Sequence, residues 1–242
     1  VIPRYFGRAD SMLYGVFDPA ATPRLRRAML LLNPGGWEYV RAHRTLRLLA
    51  TRLATAGIDV LRFDYSGTGD SWGDVDADIT LERWLDDVEE AADELRALAG
   101  VDRIGVLGLR LGARVALELT QRRGIRFERL VLWDPVEIEQ PSAVAAGADR
   151  SGHADDSPSL ELPGSVSRDM AQLHHATRLP ADLRTLLALS DGSSVPADLS
   201  DVRAERTLRV AGSAPCWVEE RDFGAGAVPT RLIEAIVSWA RS

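Results

Sequence analysis

Apolar positions along the chain fall into two alternating kinds of segment. Short unbroken runs, such as Ala28-Met29-Leu30-Leu31-Leu32 before Asn33-Pro34-Gly35-Gly36, suit strands buried on both faces of a parallel sheet. Further runs of this kind occupy residues 58–63, 103–107, 129–133, 183–189 and 207–210. Between them lie segments with apolar residues three and four apart. Leu46, Leu49 and Leu53 predict a helix over residues 40–56 that stops at Gly57. Leu81, Trp84, Leu85, Val88, Ala92, Leu95 and Leu98 predict another over 80–98, with its acidic residues on the solvated face. Residues 111–122, closed by Gly124, and a terminal segment that starts at Pro229 and carries Leu232, Ile233, Ile236, Val237 and Trp239 complete the helices. Residues 1–25 read as loops with short strands near 5–8 and 13–17. The alternation predicts one α/β domain over residues 1–242, a mostly parallel sheet flanked by helices. It breaks at residues 136–180, where Ser, Gly, Asp and Pro cluster and only 167–178 look helical. That stretch reads as a small lid insertion over the carboxyl edge of the sheet, where α/β proteins bind ligands.

Composition removes several chemistries. All 29 basic residues are arginine, so no lysine exists for a Schiff base, a pyridoxal anchor or a P-loop. A net charge of −7 argues against a nucleic-acid partner, which calls for a basic patch. One cysteine and four scattered histidines (His43, His153, His174, His175) predict no disulfide framework, no metal site and no metal cofactor. No apolar run approaches the ~18 residues of a membrane span, and no secretory signal opens the sequence, so a soluble cytoplasmic protein is expected. Nothing in the sequence calls for a cofactor, and the oligomeric state stays open.

The chemistry concentrates at Gly108-Leu109-Arg110-Leu111-Gly112, between a predicted strand and a predicted helix. Its glycines stand as in the G-x-S-x-G nucleophile elbow, where a tight turn pushes the central residue out above the sheet. Here that residue is Arg110. Together with Asn33-Pro34-Gly35-Gly36, with Arg62-Phe63-Asp64-Tyr65-Ser66-Gly67-Thr68-Gly69-Asp70-Ser71 and with Leu130-Val131-Leu132-Trp133-Asp134-Pro135-Val136, this motif resembles the α/β-hydrolase superfamily. More narrowly it resembles the serine-aminopeptidase-like and exosortase-system-associated hydrolases. The resemblance covers roughly 28–136 and 183–242. It implies an α/β-hydrolase-type sheet, a nucleophile at the position of Arg110, an acid near Asp191 and a histidine after the last strand. A guanidinium stays protonated and cannot attack a carbonyl, and no histidine occurs beyond His175. The triad mechanism therefore has two empty places. The resemblance further implies an oxyanion hole from the backbone of Leu111 and of Gly36 or Trp37.

With Arg110 added, these donors suit a carboxylate, phosphate or enolate oxygen. An alternative is a buried Arg110–Asp134 pair that merely fills the vacated place. His43 is the candidate general base, with Glu38 and Tyr65 on loops at the same edge as weaker candidates and Asp134 and Asp191 as further candidate catalytic groups. Gly36, Trp37, Tyr65, Arg110 and Leu111 are the candidate substrate-binding residues. The leading expectation is a non-hydrolytic α/β-hydrolase-fold protein. It would bind an acyl, peptidyl or carboxylate-bearing small molecule or peptide and abstract a proton beside a carbonyl, as an isomerase or epimerase of natural-product tailoring does. Two alternatives remain: an ester or thioester hydrolase using activated water, and an inactive binding or scaffold protein.

Overall fold

The computed structural model describes residues 1–74, 79–137, 166, 168–169, 179–218 and 226–242. Two N-terminal strands, β1 (Ile2–Phe6) and β2 (Leu13–Asp18), precede β3 (Arg27–Leu32), helix α1 (Gly36–Thr55) and β4 (Ile58–Phe63). Helix α2 (Leu81–Ala99), β5 (Gly105–Leu109), α3 (Leu111–Arg122) and β6 (Arg129–Trp133) follow. The described chain closes with β7 (Arg184–Leu189), β8 (Arg206–Arg209) and α4 (Thr230–Arg241). The strands form one sheet in the order β1-β2-β4-β3-β5-β6-β7-β8. All pairings from β4 through β8 are parallel; β1 and β2 add an antiparallel edge.

The unbroken apolar runs are explained by two cores. Leu30, Leu32, Val106, Leu130 and Leu132 pack on α2 and α3 on one face. Met29, Leu31, Leu107, Val131 and Trp133 pack on α1 and α4 on the other. Successive strand residues point to opposite faces, so both must be apolar when helices cover both. The strands at 58–63 and 129–133 and the helix at 111–122 keep the bounds of the sequence pattern, and the other boundaries shift by at most four residues. The largest shift is at α1, which starts at Gly36 rather than at residue 40. Its first turn carries an exposed Trp37 and a buried Glu38, so the apolar stripe starts a turn after the helix does. The lid expected at 136–180, its helix at 167–178 and His153, His174 and His175 lie outside the described residues, save for the few positions named above. Among the described residues no helix is long and apolar enough to cross a membrane.

The loop after β4 is tied down by a buried carboxylate: Asp87, expected on the solvated face of α2 with the other acids, is instead fully buried. Asp87 of α2 accepts hydrogen bonds from the Ser66 backbone N–H (2.7 Å) and hydroxyl (2.9 Å), and Arg83 Nε lies 2.9 Å from it. Burial, only partly offset by Ser66 and Arg83, pushes its carboxyl up to about 6. A carboxyl raised in the folded state lends stability that is full below its ordinary value near pH 4 and is lost as pH climbs through 6. Wild-type stability relative to Asp87→Asn should therefore fall by on the order of 2–3 kcal/mol between pH 4 and 6.5 in denaturant titrations. A pH-independent difference would contradict this account of Asp87.

Candidate active site

The glycines of the elbow are required by contact. A Cβ on Gly108 would lie 2.2 Å from the Gly112 carbonyl oxygen, and one on Gly112 would lie 2.3 Å from the Leu32 carbonyl oxygen. The close approach lets the chain reverse from β5 into α3 within one residue. That residue is Arg110, at φ 55° and ψ −113°, a left-handed conformation that costs a non-glycine residue about 1–3 kcal/mol. Its backbone N–H donates to the Trp133 carbonyl (2.8 Å), which fastens the turn to β6.

The Arg110 side chain meets Glu38, not Asp134. Nε donates to both carboxylate oxygens (3.2 and 3.3 Å) and Nη2 donates to Oε1 (3.0 Å). The Glu38 side chain is 6% exposed and that of Arg110 20%, so the pair is mostly but not wholly withdrawn from water. The guanidinium lies over the Trp217 ring, 4.7 Å from its centroid, a cation–π contact that fixes the remaining face of the fork. Glu38 reaches Arg110 because the Gly35-Gly36 turn is itself held. Asn33 Oδ1 accepts the Gly35 N–H (2.9 Å) while its Nδ2 donates to the Phe63 carbonyl (3.0 Å).

Asp134 closes the end of β6 at φ 42° and is occupied elsewhere. Its two oxygens accept the Ser190 N–H (2.9 Å) and hydroxyl (2.7 Å). Burial raises its carboxyl from the ordinary range, against the lowering effect of Ser190, Ser193 and, least, Arg110. The sequence-level pairing of Arg110 with Asp134 is thus replaced by two separate arrangements, Arg110–Glu38 and Asp134–Ser190. Cys216 is buried, and desolvation, then the charge of Asp134, pushes its thiol well up, which leaves it a poor nucleophile.

The other sequence candidates separate. Leu111 opens α3 and Gly36 opens α1, so each contributes to a helix N-terminus at this edge, where N–H groups lack intrahelical partners. Trp37 is 59% exposed on the first turn of α1. Tyr65 is fully buried, stacked on Trp84 at 4.6 Å and edge-on to Phe63 at 5.2 Å, so it belongs to the core. Asp191 is exposed at the end of β7, its N–H donating to Ser213 (2.8 Å). His43 sits on another face of α1 from Glu38, edge-on to Tyr39 at 6.0 Å, and lines a different cavity with Arg62 and Asp64. Sequence reasoning missed Glu38 as the partner of Arg110 and Ser190 as that of Asp134. The sequence pattern places Glu38 on a loop at this edge; it stands instead in the first turn of α1, where an acid complements the helix dipole and nothing marks it as the partner of Arg110.

Among the described residues no group of His, Cys, Asp and Glu side chains is arranged to hold a metal ion. What the arrangement offers is an elbow side chain that donates, a carboxylate fixed beside it and two helix N-termini at the same edge. Such a set can hold a carbonyl oxygen and exchange a proton next to it.

The family described as serine aminopeptidase, S33, matches residues 25–185. No curated protein matches the chain. Among solved structures, Est1E from Butyrivibrio proteoclasticus with ferulic acid bound is similar at 17% identity. It superposes with a TM-score of 0.68 over 98% of this chain and 96% of that one. XC6422 from Xanthomonas campestris, described as a serine hydrolase without a lid, is similar at 16% identity, with a TM-score of 0.62 over 99% and 91%. An α/β serine hydrolase homologue from Coxiella burnetii is similar at 12% identity, with a TM-score of 0.61 over 99% and 95%. At these identities the neighbours show the fold, and the family match spans more than half of the sequence. The chain belongs to the serine aminopeptidase S33 family and has the α/β-hydrolase fold.

Proposed function

We propose that the protein is a non-hydrolytic member of its family that binds the carbonyl of an acyl or peptidyl small molecule at the elbow and moves a proton beside it. The carrying observation is the Arg110–Glu38 pair: the place of the nucleophile holds a cation, and that cation holds a carboxylate. Glu38 occupies the guanidinium through Nε and Nη2, so an incoming second carboxylate would meet a charge already neutralised. A neutral carbonyl oxygen fits better, accepting from a remaining Arg110 N–H and from Leu111 at the start of α3. As that carbonyl takes on enolate character, the donors strengthen their hold. Glu38, oriented by the same guanidinium, receives the α-proton and returns it to either face, which gives isomerisation or epimerisation. Natural-product tailoring is the setting in which such a reaction on a peptidyl or acyl group fits. His43, placed in its own cavity, has no part in this step; Asp134 and Asp191 support the edge of the site rather than the proton transfer.

A second reading, ester or thioester hydrolysis by activated water, rests on family membership. Covalent chemistry separates a serine-type mechanism from both. A fluorophosphonate probe should leave residue 110 unlabelled, and activated esters should give no acyl-enzyme burst. A stoichiometric adduct on any residue of the site would overturn the non-covalent reading. Arg110→Ser alone should not create an efficient esterase, because no histidine follows the last strand.

A further inference from the structure

The cavity that holds His43 lies apart from the elbow pair and has a chemistry of its own. It is a groove of about 490 Å³ between α1 and the antiparallel edge of the sheet. That size falls in the range of small-molecule sites. Tyr39, His43 and Arg47 stand four residues apart on α1 and form one stripe along its wall. Tyr14 and Val16 of β2 and, beside Val16 in the register, Arg62 of β4 line it from the sheet.

The acids in the groove are already engaged or stand at its rim. Asp64, 7% exposed, accepts the Tyr39 hydroxyl on Oδ1 (2.6 Å) and the Asp70 N–H on Oδ2 (3.1 Å). Asp70 itself is exposed. The cations are less engaged. Arg47 is exposed and has no ion pair among the described residues. Arg62 Nε lies 3.7 Å from Asp18 Oδ2 and makes no hydrogen bond among the described residues. The two arginines and the histidine therefore line one groove together with Tyr14 and Val16, with both arginine charges near enough to act on the imidazole. Burial, then the charges of Arg62 and Arg47, hold the His43 imidazole below its ordinary value, against the opposing charge of Asp64.

We infer that this groove is a second ligand site, independent of the elbow, for an apolar anion such as an aryl or acyl carboxylate. The carboxylate sits between Arg47, Arg62 and His43, and the apolar body lies against Tyr14 and Val16. A bound anion stabilises the imidazolium, so ligand binding raises the titration midpoint of His43, and by linkage binding tightens as pH falls through that midpoint.

The test uses 3-phenylpropionate as the probe and 3-phenylpropionamide as its uncharged control. The His43 ring C–H signal is followed by NMR and assigned with His43→Asn. The carboxylate should shift that signal saturably and raise its pH midpoint, while the amide does neither. Arg47→Ala, on an exposed helix face, should weaken binding about tenfold or more, the loss of one hydrogen bond to a charged group. Adding Arg62→Gln should weaken it further, and Arg110→Ala should leave it unchanged. A non-saturating response, an equal response to the amide, or unchanged affinity in Arg47→Ala would overturn the site. Affinity lost in Arg110→Ala alone would place the carboxylate at the elbow and overturn it equally.

Discussion

Arg110→Ala will lower the unfolding free energy by about 3 kcal/mol. The cause is the stranded partner: Glu38, 5% exposed, loses the three donor contacts that compensate its burial. Removing one member of a buried pair costs about 3–5 kcal/mol, and the partial exposure of Arg110 puts this case at the lower end. Relief of the positive φ at position 110 does not offset the loss, because alanine is no better suited to that conformation. Adding Glu38→Gln should recover roughly 2 kcal/mol, the coupling of residues in direct contact. Adding Asp134→Asn in its place should recover little, because the Asp134 oxygens are taken by Ser190. Urea titrations of the single and double variants supply the cycle. Recovery with Asp134→Asn rather than with Glu38→Gln would mean that the arginine pairs with the strand end after all.

The elements that the sequence disclosed are those whose physics is local. Strands β3, β5, β6 and β7 stand out because burial on both faces demands unbroken apolar runs, and α2 because its apolar stripe is complete. The structure adds an N-cap there, with Thr80 accepting the Arg83 N–H. The elbow was legible because only glycine tolerates carbonyl oxygens at 2.2–2.3 Å from a Cβ position. Partner choice was not legible. Glu38 and Arg110 lie 72 residues apart, and nothing local marks them as a pair. β5 and β6 are adjacent in the sheet, which brings Asp134 near Arg110. Ser190, at the end of the next strand, then captured that carboxylate with two donors. His43 failed as a neighbour of Arg110 for a geometric reason. Five residues separate it from Glu38, which on a helix places the two about 140° apart. Tyr65, a substrate-binding candidate in a glycine-rich loop, is drawn into the core by Trp84 and Phe63.

The second large effect is catalytic and rests on Glu38. If its carboxylate moves the proton, Glu38→Gln keeps the size and a hydrogen-bonding oxygen toward Arg110 but removes the base. Proton transfer by a positioned side chain is worth about 10²–10⁴-fold, so the variant should lose that factor. Loss of one donor to the developing oxyanion, in Arg110→Met, should cost about 10²–10³-fold, and a stability measurement on the same sample separates it from unfolding. His43→Asn should leave the rate unchanged, since His43 lines another cavity.

Incubation of the wild-type protein in D₂O with an N-acyl aminoacyl thioester, followed by mass spectrometry and chiral analysis, reads the proposed step directly. The expected result is deuterium at the α-carbon with loss of stereochemical purity, the thioester intact, and none of this with Glu38→Gln. Release of the free acid without α-deuteration, or exchange that persists at the wild-type rate in Glu38→Gln, would contradict the assignment of this elbow to proton transfer.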